Sequence, residues 1–238
     1  MAPDDLNKRT AQILGSIHAL SQECRILDQR RHLLAPLIQN HEINEALKRK
    51  LENTPGVAAW NHLAPLLGQD LVRDQSRLFL DQDKKSGSLT NLWAKLRADS
   101  AIKTHFRDAY ARLADHHQVG AMESLSERRD NRAYFDEAWG RIGAFVEGFK
   151  SDPVAAKIKQ LRDKYHAHLE MAKLGEEPAP FNPNSVGLTF EDVFAFNDAG
   201  QQIVSELGTI LTREGWFPRQ YAEVHAAQGI DMWMRLAQ

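Results

Sequence analysis

Leu6, Ile13, Leu14, Ile17, Leu20, Ile26 and Leu27 recur at three- and four-residue steps. That period lines one face of an α-helix. Similar spacing continues along most of the chain, and no stretch alternates apolar and polar residues over a strand's length. The pattern predicts an all-α fold: a bundle of about seven to nine helices in a single domain over residues 1–238.

Breakers divide the helical pattern. Pro36 predicts a break or kink in the first helix, because proline lacks the N–H that the helix interior needs. Residues 42–52 form a short charged helix, closed by the turn cluster Asn53-Thr54-Pro55-Gly56. A helix over 57–80 follows, kinked or divided at Pro65. After the polar loop 81–87, Ser88 is placed to cap a helix over Leu89–Leu96. Residues 101–149 read as two long helices with a weak junction near Gly120. Asp152 before Pro153 starts the next helix, with a capping side chain and then proline at the first position. This helix is predicted to run to Leu174. Gly175–Gly187 holds three prolines and reads as a loop that exposes Phe181. Thr189, with Asp192 three residues on, opens a helix to Arg213, and the Trp-bearing tail 214–238 adds one short helix. The first 54 residues read as an extension that could form a separable hairpin.

Composition narrows the function classes. The 238 residues carry a formal net charge of -2, so no global basic field exists to hold nucleic acid, and an RNA partner requires a local patch. A single cysteine, Cys24, excludes an intramolecular disulfide and points to a reducing compartment. Cys24 lies in the apolar stripe and is expected to be buried. No apolar run is long enough for a membrane span, and MAPDDLNKRT lacks a signal-peptide core, so the expected location is cytoplasmic.

The segment Arg162-Asp163-Lys164-Tyr165-His166-Ala167-His168 carries the most specific chemistry. Arginine holds a phosphate by a planar two-pronged contact and keeps its charge. Histidine moves protons near neutral pH. Together they are a minimal kit for cleaving an RNA phosphodiester without a metal. On an ideal helix, Ile158, Leu161, Tyr165, Leu169 and Ala172 form an apolar stripe. His168 lies on one edge of it, and Arg162 on the other, about 120° away. A second copy of the helix about a two-fold axis would bring both pairs to one cleft, so a homodimeric site is expected. Five basic residues, Lys157, Lys159, Arg162, Lys164 and Lys173, outnumber Asp163 and Glu170 here. A phosphate-facing surface follows from that balance, although a basic run on a helix is more often a solvated face.

Arg162, the polar Asp163 and His168 after five intervening residues resemble the Arg-x(4–6)-His signature of the HEPN superfamily. The longer string resembles Arg-Asp-Lys-x-x-Ala-His of its abortive-infection U-type branch. Arg77-Leu78-Phe79-Leu80-Asp81 with Ser88-Leu89, and Leu188–Val193, are similar to flanking helices of that branch. The likeness covers roughly residues 57–213. It implies an all-α dimeric fold and a metal-independent endoribonuclease, toxin or antiviral effector that uses no cofactor. By position, it makes His168 the general acid/base, Arg162 the phosphate clamp and Asp163 the residue that orients them. His166 and Lys164 are accessory candidates, with His166 read as a surface residue and Tyr165 as core. RNA, a second copy of the chain and a nucleotidyltransferase-type antitoxin are the implied partners.

Other motifs are weaker. Adjacent His116 and His117 point about 100° apart on a helix and lack a third metal ligand. No Gly-rich phosphate loop or nucleophile elbow is present. Asp81 and Asp83 beside Lys84-Lys85 read as a capped, solvated loop. The alternative to the ribonuclease is a non-catalytic helical dimer that binds RNA, a nucleotide or a protein.

Overall fold

A computed structural model describes residues 3–112, 131–166, 181–213 and 218–238. Among the described residues there are nine α-helices and no strand. They are α1 (Pro3–Gln39), α2 (His41–Leu51), α3 (Gly56–Gln75), α4 (Leu89–Ala98), α5 (Ser100–Ala111), α6 (Asn131–Gly148), α7 (Pro153–Leu161), α8 (Phe190–Thr212) and α9 (Pro218–Ala237). Two helices widen at their C-terminal ends into a π turn: α3 over Ser76–Leu80 and α7 over Arg162–His166.

The starts are set by local chemistry. The Ser88 side chain accepts from Asn91 N, and Asp152 accepts from Val154 N and Ala155 N, with Pro153 just inside the helix. At α8, Thr189 and Asp192 accept each other's backbone N–H in a reciprocal capping box. Such caps satisfy amides that no intrahelical carbonyl can reach, each worth about 1 kcal/mol.

Helix α8 is the centre of the bundle. Val193, Phe194, Phe196, Val204, Leu207, Ile210 and Leu211 are all buried, and α1, α5, α6, α7 and α9 pack around it. Phe79, from the first π turn, fits against Gly200. A Cβ there would lie 2.7 Å from the ring, so only glycine admits the contact. Cys24 is fully buried, as expected, and burial pushes its thiol pKa up.

The termini differ from the sequence reading. Ile13, Ile17, Leu20 and Leu27 of α1 belong to the same apolar core as α8, so α1 is not set apart as a hairpin. The tail is a 20-residue helix, α9, lying along α1. Neither internal proline divides its helix: Pro36 lies within α1 and Pro65 within α3. Pro36 cannot donate to the His32 carbonyl one turn back. At that carbonyl α9 approaches closely through Gly229, where any Cβ would collide with His32 O. The Trp233 indole N–H donates to Leu33 O at 2.6 Å beside this contact. Leu37, Ile43, Leu47 and Trp233 close the end of the bundle as a second apolar cluster, with Trp60 edge-on to Trp233. The one carbonyl that Pro36 leaves without a helical donor thus lies where Gly229 of α9 docks.

Candidate active site at the end of helix α7

Ala155, Ile158 and Leu161 bury one face of α7, which packs on α3 and α8. Burying three such residues fixes the helix, and with it the direction of the chain at Arg162. The turn Arg162–His166 is a π turn. It rotates less per residue than the ideal helix assumed above, so the 120° separation derived from α geometry does not apply across it.

The Arg162 Nε donates to Asp163 Oδ1 at 2.7 Å. The Arg162 side chain is 32% exposed and that of Asp163 56%. No other partner engages the Arg162 guanidinium among the described residues. Its Nη1 and Nη2 edge thus has no partner among the described residues, and this is the edge that grips a phosphate through two parallel N–H···O bonds. Asp163 holds the Nε side and limits the rotation of the plane.

The remaining basic residues of α7 divide into two kinds. Lys157 Nζ donates to Gly187 O at 2.7 Å, and Lys164 Nζ stands 5.5 Å from the centre of the Phe181 ring. These two tie segment 181–189 to the helix. Gly187 adopts φ 61°, the left-handed conformation that glycine takes at low cost, and so ends the short turn Pro183–Val186 in position to meet Lys157. Phe181 is consequently half-buried against the core and not exposed as the loop composition suggests. Lys159 and Arg162 remain available for other work. Lys173 lies outside the described residues.

Tyr165 corrects another expectation. It is 41% exposed, and its hydroxyl accepts from Gln69 Nε2 of α3 at 3.3 Å, so it belongs to the surface of the site and not to the core. His168 lies outside the described residues, as do His116 and His117. The backbone of His166 closes the π turn. Asp81 and Asp83 behave as read: Asp81 Oδ1 accepts from Asp83 N, and Asp83 Oδ1 accepts from Lys85 N. Among the described residues no cluster of His, Cys, Asp or Glu is arranged to hold a metal.

Beside the turn lies an apolar surface that no sequence motif marks. Leu63 and Leu66 of α3 are exposed, three residues apart on one helix face. Tyr165 meets Gln69, one turn on from Leu66 and on the same side of α3, whereas Phe190 rests against Gly68, on the side that carries buried Leu71 and Val72. Exposed leucines on a helix that already buries Leu71 and Val72 were the available signal, but reading it requires knowing which face the core occupies.

The HEPN family model for AbiU2 matches residues 12–230. The chain belongs to the HEPN AbiU2 family. No curated protein and no solved structure matches it. The AbiU2 match extends well beyond the 57–213 segment that carried the resemblance. It takes in most of α1 and of α9, the two helices that clasp each other. Among the described residues of this AbiU2 protein, no helix is long and apolar enough to cross a membrane.

Proposed function

We propose that this HEPN protein is a metal-independent endoribonuclease that works as a cytoplasmic toxin or abortive-infection effector. The observation that carries the reading is the Arg162–Asp163 pair. Its guanidinium is oriented through Nε, open at its terminal nitrogens, and set on a turn that also leads to His168.

In the proposed reaction, His168 takes the proton of a ribose 2′-OH. The 2′ oxygen attacks the adjacent phosphorus and the bond to the 5′ oxygen breaks. A protonated histidine, from the same or a second copy, supplies the proton to that leaving oxygen. The products are a 2′,3′-cyclic phosphate and a 5′-hydroxyl. Arg162 neutralises charge that builds on the non-bridging oxygens, and Asp163 keeps the guanidinium aimed. His166 and Lys164 are accessory, and the Lys164 contact with Phe181 makes its contribution mainly architectural. The protein works as a homodimer. Leu63, Leu66 and Tyr165 supply exposed apolar side chains next to the turn for a second copy, and exposed patches of this kind mark association sites. A nucleotidyltransferase-type antitoxin restrains the activity.

The test is cleavage of RNA by purified protein in EDTA, with Arg162→Ala and His168→Ala variants first shown to fold. Cleavage in EDTA that leaves 2′,3′-cyclic ends and is lost in both variants is the expected result. Equal cleavage by all three proteins would mean another site. RNA binding with no cleavage across several RNA classes would favour the non-catalytic binding dimer.

A further inference from the structure

A small cleft opens on the side of α7 one turn before Arg162. It has a volume of about 230 Å³, and its wall includes Arg97 of α4, Lys150 after α6 and Lys159 of α7. Three separate elements thus bring three cations to one depression. Glu147 is the one carboxylate in the wall. It accepts from Arg97 Nη1 at 2.6 Å and from Lys150 Nζ, which leaves the group two positive charges in excess. The hydrogen bond from Lys150 lowers the Glu147 pKa, as does the charge of Arg97, so the carboxylate remains ionised and keeps both cations in place. Arg97 and Lys150 keep donors beyond those given to Glu147. Lys159 makes no ion pair among the described residues. The Trp93 ring forms part of the wall. It is 3% exposed, and its indole N–H has no acceptor among the described residues.

The position matters as much as the charge. Lys159 and Arg162 are three residues apart, which makes them neighbours on the α7 surface. The cleft and the uncommitted edge of Arg162 therefore form one basic track, running from the motif towards α4 and α6. A single strand of RNA carries its phosphates at short, regular intervals and is attracted by such a line of cations. A much larger groove beside α1 differs. It has a volume of about 1030 Å³, and its arginines face carboxylates, Arg9 paired with Asp99 and Arg77 with Glu23.

We infer that the cleft formed by Arg97, Lys150 and Lys159 is a backbone-phosphate subsite that holds the RNA strand next to the scissile phosphate at Arg162. This rests on the ribonuclease reading for the identity of the strand, and on the cleft itself for the binding.

The test separates the two. A fluorescein-labelled, uniformly 2′-O-methylated single-stranded RNA cannot be cleaved through its 2′ oxygen, and its binding is read by anisotropy over a salt series. Lys150→Ala/Lys159→Ala is compared with wild type, with Arg162→Ala and with Lys48→Ala/Lys50→Ala, which removes equal charge on α2. All four chains are first matched in circular dichroism and melting. The cleft variant should bind about tenfold more weakly, with a salt slope smaller by about 1, while the α2 control binds as wild type does. Inorganic phosphate should compete with the RNA for wild type and less effectively for the cleft variant, which keeps only the Arg162 phosphate contact.

Equal losses in the cleft variant and the α2 control would reduce the cleft to bulk charge and overturn the inference. So would loss in Arg162→Ala alone, which would leave the nuclease reading intact. Weakened binding in the cleft variant, together with no cleavage of ordinary RNA by wild type, would keep the subsite and remove the nuclease. No RNA binding by wild type would overturn both.

Discussion

Asp28 and Asp163 each stand beside basic nitrogen groups, and their surroundings give them opposite duties. Asp28 is sealed between α1 and α9. His225 Nδ1 donates to its Oδ2 at 2.6 Å, and His32 Nε2 lies 3.5 Å from its Oδ1. Side-chain exposures are 5% for Asp28, 8% for His32 and 11% for His225. Every strong group there faces another protein group, and Gly229 brings the two helices together at the His32 carbonyl. Asp163 is half exposed and engages a single nitrogen of Arg162, and the other nitrogens have no partner among the described residues. A carboxylate flanked by two histidines looks more like a catalytic array than an arginine next to an aspartate does. Yet burial and mutual satisfaction make the first a clasp, and exposure with uncommitted donors makes the second a site. Residue type alone does not separate them, whereas access and unfilled hydrogen-bonding capacity do.

The sharpest way to break this comparison is to damage each region and ask which property falls. Arg162→Ala should lower RNA cleavage by about 10²–10³-fold, the range for removing a donor to developing charge. Its melting temperature should stay within about 2 °C of wild type, because among the described residues its only polar partner is the exposed carboxylate of its neighbour Asp163. A matching loss of melting temperature would move Arg162 to the structural side. At the clasp the outcome reverses. Gly229→Val places side-chain atoms where His32 O lies. It should cost about 3 kcal/mol and lower the melting temperature by roughly 6–12 °C. An unchanged melting curve would show that α9 does not depend on that close approach.

Asp28→Asn is the milder lesion of the clasp. Burial alone would raise the Asp28 pKa, but the hydrogen bonds and charge of His32 and His225 outweigh it, and the net shift is downward. A depressed folded-state pKa gives stability that is fully present above the unfolded carboxylate pKa. That stability is lost as pH falls through the lower folded value. Wild type should therefore exceed Asp28→Asn by about 1–3 kcal/mol near pH 6, and the gap should narrow below about pH 4. Urea unfolding at a series of pH values measures it, and a gap independent of pH would exclude the charge as the cause.

The two regions were not equally legible in the sequence. The motif announces itself because Arg162, Asp163 and His168 lie within one short segment, and the starts of α4, α7 and α8 follow from Ser88, Asp152 and Thr189 for the same local reason. The clasp joins Asp28 to His225 across almost the whole chain, and no local pattern can connect them. Its one sequence trace is Pro36, which reads as a helix breaker. Within α1 it instead leaves the His32 carbonyl without its helical donor, where α9 docks. Tyr165 was misread because an ideal α-helix puts it in line with Ile158 and Leu161. The π turn rotates it out to meet Gln69. Lys157 and Lys164 read as phosphate binders by charge, yet one meets the Gly187 carbonyl and the other Phe181, partners that only the return of segment 181–189 provides.

The smallest expected effect gives the finest comparison, because it separates orientation from charge at Asp163. Asp163→Asn keeps an oxygen that can accept from Arg162 Nε but removes the negative charge. Asp163→Ala removes both. If Asp163 works by aiming the guanidinium, Asn should retain cleavage within about threefold of wild type and Ala should lose roughly tenfold, the value of one hydrogen bond of moderate strength. If its charge supports a protonated histidine during the reaction, Asn and Ala should fall together, and the pH profile of cleavage should shift in both. Neither variant should change stability by more than about 0.5 kcal/mol, since an exposed pair of adjacent residues contributes little to folding. A larger loss of stability would place Asp163 with Asp28 as part of a clasp, and the distinction between the two regions would then fail at its most exposed point.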